Sequence, residues 1–153
     1  MKLKNNLSVY FLEFFGAALI GIGIFFIFFR PYLLPEDVRF MGLNEALERN
    51  FRDLVSPWLK LVFLVLGGYI ISSGVLFIFL AQKPFREFAP WAWATAFFAG
   101  ISSIGVMTFI NFKIESDFRW WILVLNIVWI SSLVLNRFEK QKKKLSTLVI
   151  REK

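Results

Sequence analysis

Four long apolar runs, separated by polar connections, dominate the pattern of the chain. Their bounds are about 7–29, 58–80, 88–110 and 118–136. A helix of 23 residues is about 34 Å long at ~1.5 Å of rise per residue, and the hydrocarbon core of a bilayer is ~30 Å thick. We therefore expect each run to form a helix that spans a membrane.

The first connection, 30–57, is the longest and carries a pattern of its own. Pro31 and Pro35 are expected to end the first helix, and Asn44 is a suitable N-cap for a new one. From there apolar residues recur at helical spacing, and opposite charges lie four apart on the other side: Leu47, Phe51, Leu54, Val55 and Trp58, with Glu45 and Arg49, and Glu48 and Arg52. The pattern predicts a surface helix over about 44–56. We expect it to rest in the lipid headgroups; a lid over the bundle or a docking site for a partner are the alternatives.

Composition supports the membrane assignment and excludes several kinds of chemistry. Of the 153 residues 58% are hydrophobic, which is too apolar for a soluble domain of this size. The sequence contains neither Cys nor His. Disulfides, His-liganded metal or haem, and Ser/His or Cys/His nucleophile pairs are therefore excluded. We expect no metal and no cofactor, and we do not expect an enzyme.

The distribution of positive charge predicts the orientation. Most of the 18 Lys and Arg residues lie in the N-terminus, the second connection and the tail, 137–153. Because cytoplasmic segments are enriched in Lys and Arg, both termini should be cytoplasmic, in the inner or plasma membrane. The basic tail should contact anionic lipid at the membrane surface. Nucleic acid is not an expected partner.

These elements predict a single all-α domain over 1–153. The second and third connections are short, so successive helices should be antiparallel neighbours. The predicted fold is an integral membrane four-helix up-and-down bundle, with one interfacial helix in the first outer loop and a basic cytoplasmic tail.

A single carboxylate, Glu13, interrupts the first apolar run. At about 100° per residue it shares one half of the helix with Gly16, Ala17 and Gly21, while most phenylalanines, Phe15 among them, fall on the other half. Small residues permit close helix packing, so we expect this half to face protein. The run contains no Lys or Arg to pair with Glu13, which should therefore act as a neutral hydrogen-bond donor. Four hydroxyls lie at about the same depth, roughly 8–10 Å from the cytoplasmic ends: Ser72, Ser73, Thr95 and Ser131. They form either a polar site with Glu13 or a structural hydrogen-bonded layer.

The third apolar run carries a second face for close packing. Ala92, Ala96 and Gly100 are spaced four apart, and larger residues, including Phe97 and Ile104, are expected on the opposite side. This face should pack within the bundle, and dimerisation is the alternative.

Three segments together resemble a family. The loop PYLLPEDVRFMGL, the glycine-bearing GGYIISSGVLF and the WAWATAFFAG segment are similar to small four-helix bacterial membrane proteins of the DoxX-like type. The resemblance covers roughly 30–100 and implies the four-helix architecture. The roles of that family are poorly defined, and no functional residue follows from it.

Three functions remain open from the sequence. The first is a non-enzymatic membrane protein with an accessory, assembly or scaffold role, acting through contacts with a membrane-protein partner or a second copy of the chain. The second is a small proton-coupled transporter using Glu13. A membrane-embedded Glu on the first of four helices resembles the arrangement of small multidrug exporters. The third is an enzyme on a lipid or quinone substrate. It would use carboxylates of the outer loops: Glu36, Asp37, Glu115 or Asp117.

Overall fold

The computed structural model describes residues 6–151, without the side chains of residues 45–48, 50 and 149–151. Within that part of the chain all regular elements are helices. In chain order they are α1 (Leu7–Phe28), α2 (Pro35–Met41), α3 (Glu45–Leu80), α4 (Pro90–Gly100), α5 (Val106–Lys113) and α6 (Arg119–Arg151). A π-helical turn, Ala81–Phe85, continues α3, and another, Ile101–Gly105, joins α4 to α5.

The prediction of four long apolar helices is confirmed. Four helical segments are long and apolar enough to cross a membrane: Leu7–Phe28, Phe51–Phe85, Pro90–Lys113 and Arg119–Leu148. The shortest has 22 residues, or about 33 Å of helix. The bundle has two ends, which we name after a residue at each. The Arg30 end carries α2 and the connection between α5 and α6, and the Arg86 end carries the start of α1 and the turn between α3 and α4.

The first connection differs from its prediction. A separate surface helix was expected over about 44–56, but α3 runs without a break from Glu45 to Leu80, through Pro57. Proline removes one backbone hydrogen bond and can kink a helix, but the apolar periodicity on both sides of it keeps the helix continuous. The charge pairs of Glu45 and Glu48 lie outside the described side chains. The separate short helix of this connection is α2.

Local sequence features explain where the short helix α2 begins and ends. Pro35 supplies a pre-set φ in the first turn, and Asp37 caps the helix by accepting a hydrogen bond from the backbone N–H of Leu34 (2.9 Å). Gly42 ends it in the left-handed region, at φ 64°. Arg39 Nη2 donates to the carbonyl of Glu115 (2.9 Å). The last bond ties α2 to the connection between α5 and α6.

The packing order around the bundle is α3, α1, α6 and then α4 with α5. α1 packs along both α3 and α6, and α6 packs against α4 and α5. By contrast, α3 makes few contacts with α4 and still fewer with the turn Ile101–Gly105 or with α5. The bundle is therefore open along one side, between α3 and the α4–α5 pair.

Two pairs of glycines bring α1 and α3 into backbone contact. A Cβ atom at Gly16 would lie 2.7 Å from the carbonyl oxygen of Gly74, and one at Gly23 would lie 2.6 Å from that of Gly67. These separations are shorter than real Cβ contacts, so only glycine fits at either position. The close-packing face of α1 therefore consists of Gly16 and Gly23.

Three other residues of α1 face directions that differ from the prediction. Ala17 and Gly21 are exposed, whereas Phe15 is fully buried and packs edge-on against Phe77, with ring centroids 4.9 Å apart. The physical reason is that α1 is contacted on two sides, by α3 and by α6, so its buried surface is wider than one stripe of small residues.

On α4, Ala92, Ala96 and Gly100 are all buried. Gly100 lies directly against the indole of Trp129, which donates from Nε1 to the carbonyl of Ala96 (2.9 Å). Phe97 and Ile104 were expected on the opposite side. Instead Phe97 is half-buried and stacks on Trp93, and Ile104 is fully buried. A π-helical turn has more residues per turn than an α-helix, so the turn Ile101–Gly105 rotates Ile104 away from the direction that α-helical spacing predicts. Phe97 precedes that turn and packs against Trp93 within α4 itself.

Candidate functional site

A cavity of about 980 Å³ lies inside the Arg30 half of the bundle, and we call it the Arg30 cavity. Its walls are apolar side chains from α1, α3, α5 and α6, and α2 covers one end. The principal lining residues are Leu19, Ile22, Phe25, Phe63, Ile70, Met107 and Leu125, with Arg30, Glu36 and Asp37 at the covered end. Apolar walls with a few charged groups at one end are typical of ligand sites, and ~1,000 Å³ is the upper end of their usual size.

A second cavity of about 560 Å³ continues toward the Arg86 end, and we call it the Trp91 cavity. It lies between α3 and α4, with Leu76, Phe79 and Trp91 among its lining residues. Ser73 and Ser103 line both cavities. Together the two cavities follow the open side of the bundle from one end to the other.

The Arg30 cavity is exposed along the open side of the bundle. Its lining includes an exposed residue on each flank of that side, Tyr69 on α3 and Val106 on α5. Few contacts between α3 and α4 close this side. A molecule moving in the plane of a surrounding bilayer would therefore reach the cavity directly.

The guanidinium of Arg30 occupies the polar end and is held by several partners. Its side chain is 12% exposed, and Nη2 lies 3.4 Å from Oδ2 of Asp37. Nη1 donates to the carbonyl of Pro31 (3.2 Å), and the guanidinium carbon sits 3.9 Å from the ring centre of Phe63. Burial lowers the pKa of Arg30, and the carboxylates of Asp37 and Glu36 act against that decrease. A guanidinium remains charged regardless.

Glu36 is the buried carboxylate of the polar end. It is only 2% exposed, and its Oε1 accepts a hydrogen bond from the hydroxyl of Ser116 (3.0 Å). Ser116 belongs to the connection between α5 and α6, so this bond closes α2 over the cavity. From the sequence, Glu36 and Asp37 were expected to be carboxylates of an outer loop. Because α2 folds onto the bundle, both residues line the cavity.

Glu13 does not line either of these two cavities. Its Oε1 lies 3.8 Å from Nη2 of Arg86, and its side chain is 28% exposed. The expectation that no cation would pair with it is therefore wrong. Arg86 follows the π-helical turn at the end of α3, and that turn directs its long side chain back along α1.

The four hydroxyls expected beside Glu13 are not assembled around it. Ser73 and Thr95 donate to the carbonyls of Tyr69 and Trp91, four residues earlier in their own helices (2.9 and 2.8 Å). Ser72 is exposed and Ser131 is half-buried. Hydroxyls satisfied within their own helix need no partner on another one. Of these residues, Ser73 lines both cavities and Thr95 lines the Trp91 cavity.

A buried polar cluster at the Arg86 end was not predicted from the sequence. The hydroxyl of Ser8 donates to Oε2 of Glu139 (2.5 Å), and that of Ser132 donates to the carbonyl of Ser8 (2.9 Å). Asn136 Nδ2 donates to the carbonyl of Phe85 (3.0 Å). Ser132, Asn136 and Glu139 recur at helical spacing on α6, a signal that could have identified this face. The cluster joins α1, α6 and the turn after α3.

Comparison with known proteins adds no assignment. No protein-family model matches the sequence, and no curated protein or solved structure is detectably similar to the chain. Among the side chains that the structure describes, no group of acidic residues is arranged to hold a metal ion. The Arg30 cavity is therefore the candidate site, and its geometry is the basis for a function.

Proposed function

We propose that this chain is a multi-pass cell-membrane protein that binds a lipid-like amphiphile in the Arg30 cavity, without catalysis. The observation that carries the proposal is the cavity itself, with apolar walls, charged groups at one end and a lateral opening. An amphiphile has the matching division into an apolar chain and a polar head. The sequence favours a non-enzymatic protein that acts through contacts with another membrane component, and in this proposal that component is the amphiphile.

The length of the cavity supports an occupant confined to one leaflet. From Phe63 to Ser73, both in its lining, α3 rises about 15 Å, which is half of a ~30 Å hydrocarbon core. The polar end at Arg30 then lies at headgroup depth, and Ser73 lies inside the hydrocarbon core. One acyl or isoprenoid chain placed along α3 fits this arrangement.

In this proposal the bundle is an up-and-down membrane bundle with both termini in the cytoplasm and the Arg30 end outward. The basic residues of α6 at the other end support that orientation, and contact with anionic lipid there follows from it. The resemblance to DoxX-like proteins agrees with this architecture. Glu13 pairs with Arg86 outside the two cavities, so no described feature favours the transporter over amphiphile binding.

Filling the cavity should prevent binding. A Cβ atom at Gly21 meets nothing within 4 Å and Gly21 lines the cavity, so Gly21→Trp should place an indole inside it without a clash. We expect the wild-type protein to keep a bound amphiphile during purification in mild detergent, detected by native mass spectrometry. Gly21→Trp should lose most of it.

Gly68→Trp is the matched control, because Gly68 also has open space at its Cβ position and lies outside the described cavity linings. It should retain the amphiphile as the wild type does, and both variants should melt at similar temperatures. Equal retention by Gly21→Trp and Gly68→Trp would contradict the proposal, as would a wild-type protein that retains nothing.

The orientation has a separate test, which the absence of cysteine makes simple. Asp117, in the connection between α5 and α6, and Lys142, on α6, are both exposed. In intact cells, Asp117→Cys should react with a membrane-impermeant thiol reagent, and Lys142→Cys should react only after permeabilisation. The opposite labelling pattern would reverse the orientation.

A further inference from the structure

The charges at the polar end of the Arg30 cavity are unbalanced. Among the described residues that line it, three are charged: Arg30, Glu36 and Asp37. One guanidinium faces two carboxylates, so the formal charge of the polar end is negative. The other polar lining residues are neutral: Tyr69, Ser73, Ser103, Asn111 and Ser116.

Arg30 is poorly placed to receive an anionic head. Its Nη2 already pairs with Asp37 and its Nη1 with the carbonyl of Pro31. The guanidinium also lies over the rings of Phe63 and Phe26, 3.9 and 5.3 Å from their centres. Binding a phosphate or carboxylate here would require Arg30 to leave these partners or would bring the new anion beside Asp37. Both alternatives weaken anion binding.

Glu36, unlike Arg30, is well placed to receive a charged head group. A carboxylate accepts about four hydrogen bonds on its two oxygens, and among the described residues Ser116 is the donor to the side chain of Glu36. The residue lines the cavity at 2% exposure, where water competes little for its remaining capacity. A charged donor offered from inside the cavity would meet a carboxylate in surroundings that strengthen the pairing.

We propose that the head group bound in the Arg30 cavity carries an ammonium, which pairs with Glu36 while the attached chain lies along the apolar walls. This inference rests on the proposed amphiphile-binding function and specifies its ligand. An ammonium removes the charge imbalance and supplies the donors that Glu36 can accept. A head that is anionic overall would restore the imbalance.

The test uses probes with the same saturated chain and different heads: dodecylamine, dodecyl phosphate and monolauroylglycerol. Each is titrated against the purified full-length protein in a neutral detergent, and binding is followed by native mass spectrometry. We expect dodecylamine to bind about tenfold more tightly than dodecyl phosphate, since a hydrogen bond to a charged group contributes about that factor. A lysophosphatidylethanolamine of equal chain length distinguishes the sources. If this lipid binds as tightly as dodecylamine, the ligand of the cavity is an aminophospholipid. If it binds more weakly, the ligand is an amine attached directly to the chain.

Glu36→Gln is the decisive variant. Gln keeps an oxygen that can accept from Ser116, so α2 should stay closed, and the preference for dodecylamine should disappear. Asp117→Asn is the control. Asp117 lies at the same end of the bundle but does not line the cavity, so this variant should keep the preference for dodecylamine. Survival of the preference in Glu36→Gln would overturn the inference.

The remaining outcomes separate the inference from the function on which it rests. If all three probes bind equally and Gly21→Trp blocks all three, the cavity binds amphiphiles without selecting an ammonium head, and only the inference fails. Tighter binding of dodecyl phosphate that is sensitive to Gly21→Trp likewise overturns the inference and leaves the function standing. If Gly21→Trp affects no probe, the proposed function fails together with the inference.

Discussion

Gly23→Ala should destabilise the protein severely although it adds a single methyl group. The new Cβ atom would lie 2.6 Å from the carbonyl oxygen of Gly67, and it would also approach the backbone nitrogen of Ile71 to 2.9 Å. Because both of these atoms belong to the backbone, a change in the rotamer of Ile71 cannot remove the overlap. α1 and α3 must then separate, at a cost of about 1–3 kcal/mol or more. Thermal unfolding in detergent, followed by tryptophan fluorescence, should show a midpoint lower by several degrees.

Gly68→Ala is the control for this change. Gly68 is the next residue of α3 after Gly67, and its Cβ position is open. Alanine stabilises a helix interior by roughly 0.5–1 kcal/mol relative to glycine, so Gly68→Ala should melt at or slightly above the wild-type temperature. Equal midpoints for the two variants would mean that α1 and α3 are not in backbone contact.

Asn136→Leu should loosen the turn between α3 and α4. Asn136 and Phe85 are both buried, and the substitution keeps the number of side-chain heavy atoms. It removes one of two donors to the carbonyl of Phe85, the other being the backbone N–H of Phe88 (3.1 Å). The loss of one buried hydrogen bond costs about 0.5–1.5 kcal/mol. The turn also contains Phe88 at φ 60°, a conformation that non-glycine residues rarely adopt. We expect a lower melting temperature and faster tryptic cleavage after Arg86.

Lys140→Met provides the comparison for Asn136→Leu. Lys140 Nζ donates to the carbonyl of Phe88 in the same turn (3.2 Å), but this bond is exposed and water can replace it. Its loss should change stability by less than about 0.5 kcal/mol. Comparable effects of the two variants would show that the turn is not held by its buried hydrogen bond.

The four long helices were predictable because the length of an apolar run directly reports what can cross a bilayer. The buried face of Ala92, Ala96 and Gly100 followed from its spacing for the same local reason. The continuity of α3 through Pro57 was harder to predict, because a proline inside a helix changes its hydrogen bonding without determining whether the helix ends.

The candidate site was not predictable from local patterns. A cavity exists where side chains of different helices fail to meet, and no single segment encodes the separation of α3 from α5. The Arg86 partner of Glu13 depends on the path of the π-helical turn. By contrast, Ser132 and Asn136 lie four apart on an otherwise apolar stretch of α6, and this spacing could have marked a polar face directed at another helix.

The position of α1 between α3 and α6 has a consequence for the order of assembly during synthesis. α3 follows α1 closely in the chain, so this helical hairpin can form early. The bond between Ser8 and Glu139 joins residues 131 positions apart and must wait until α6 has been made. Until then the flank of α1 that meets α6 is uncovered, as is typical of folding intermediates that aggregate. A chain truncated before α6 would therefore retain a packed hairpin with one unfinished side.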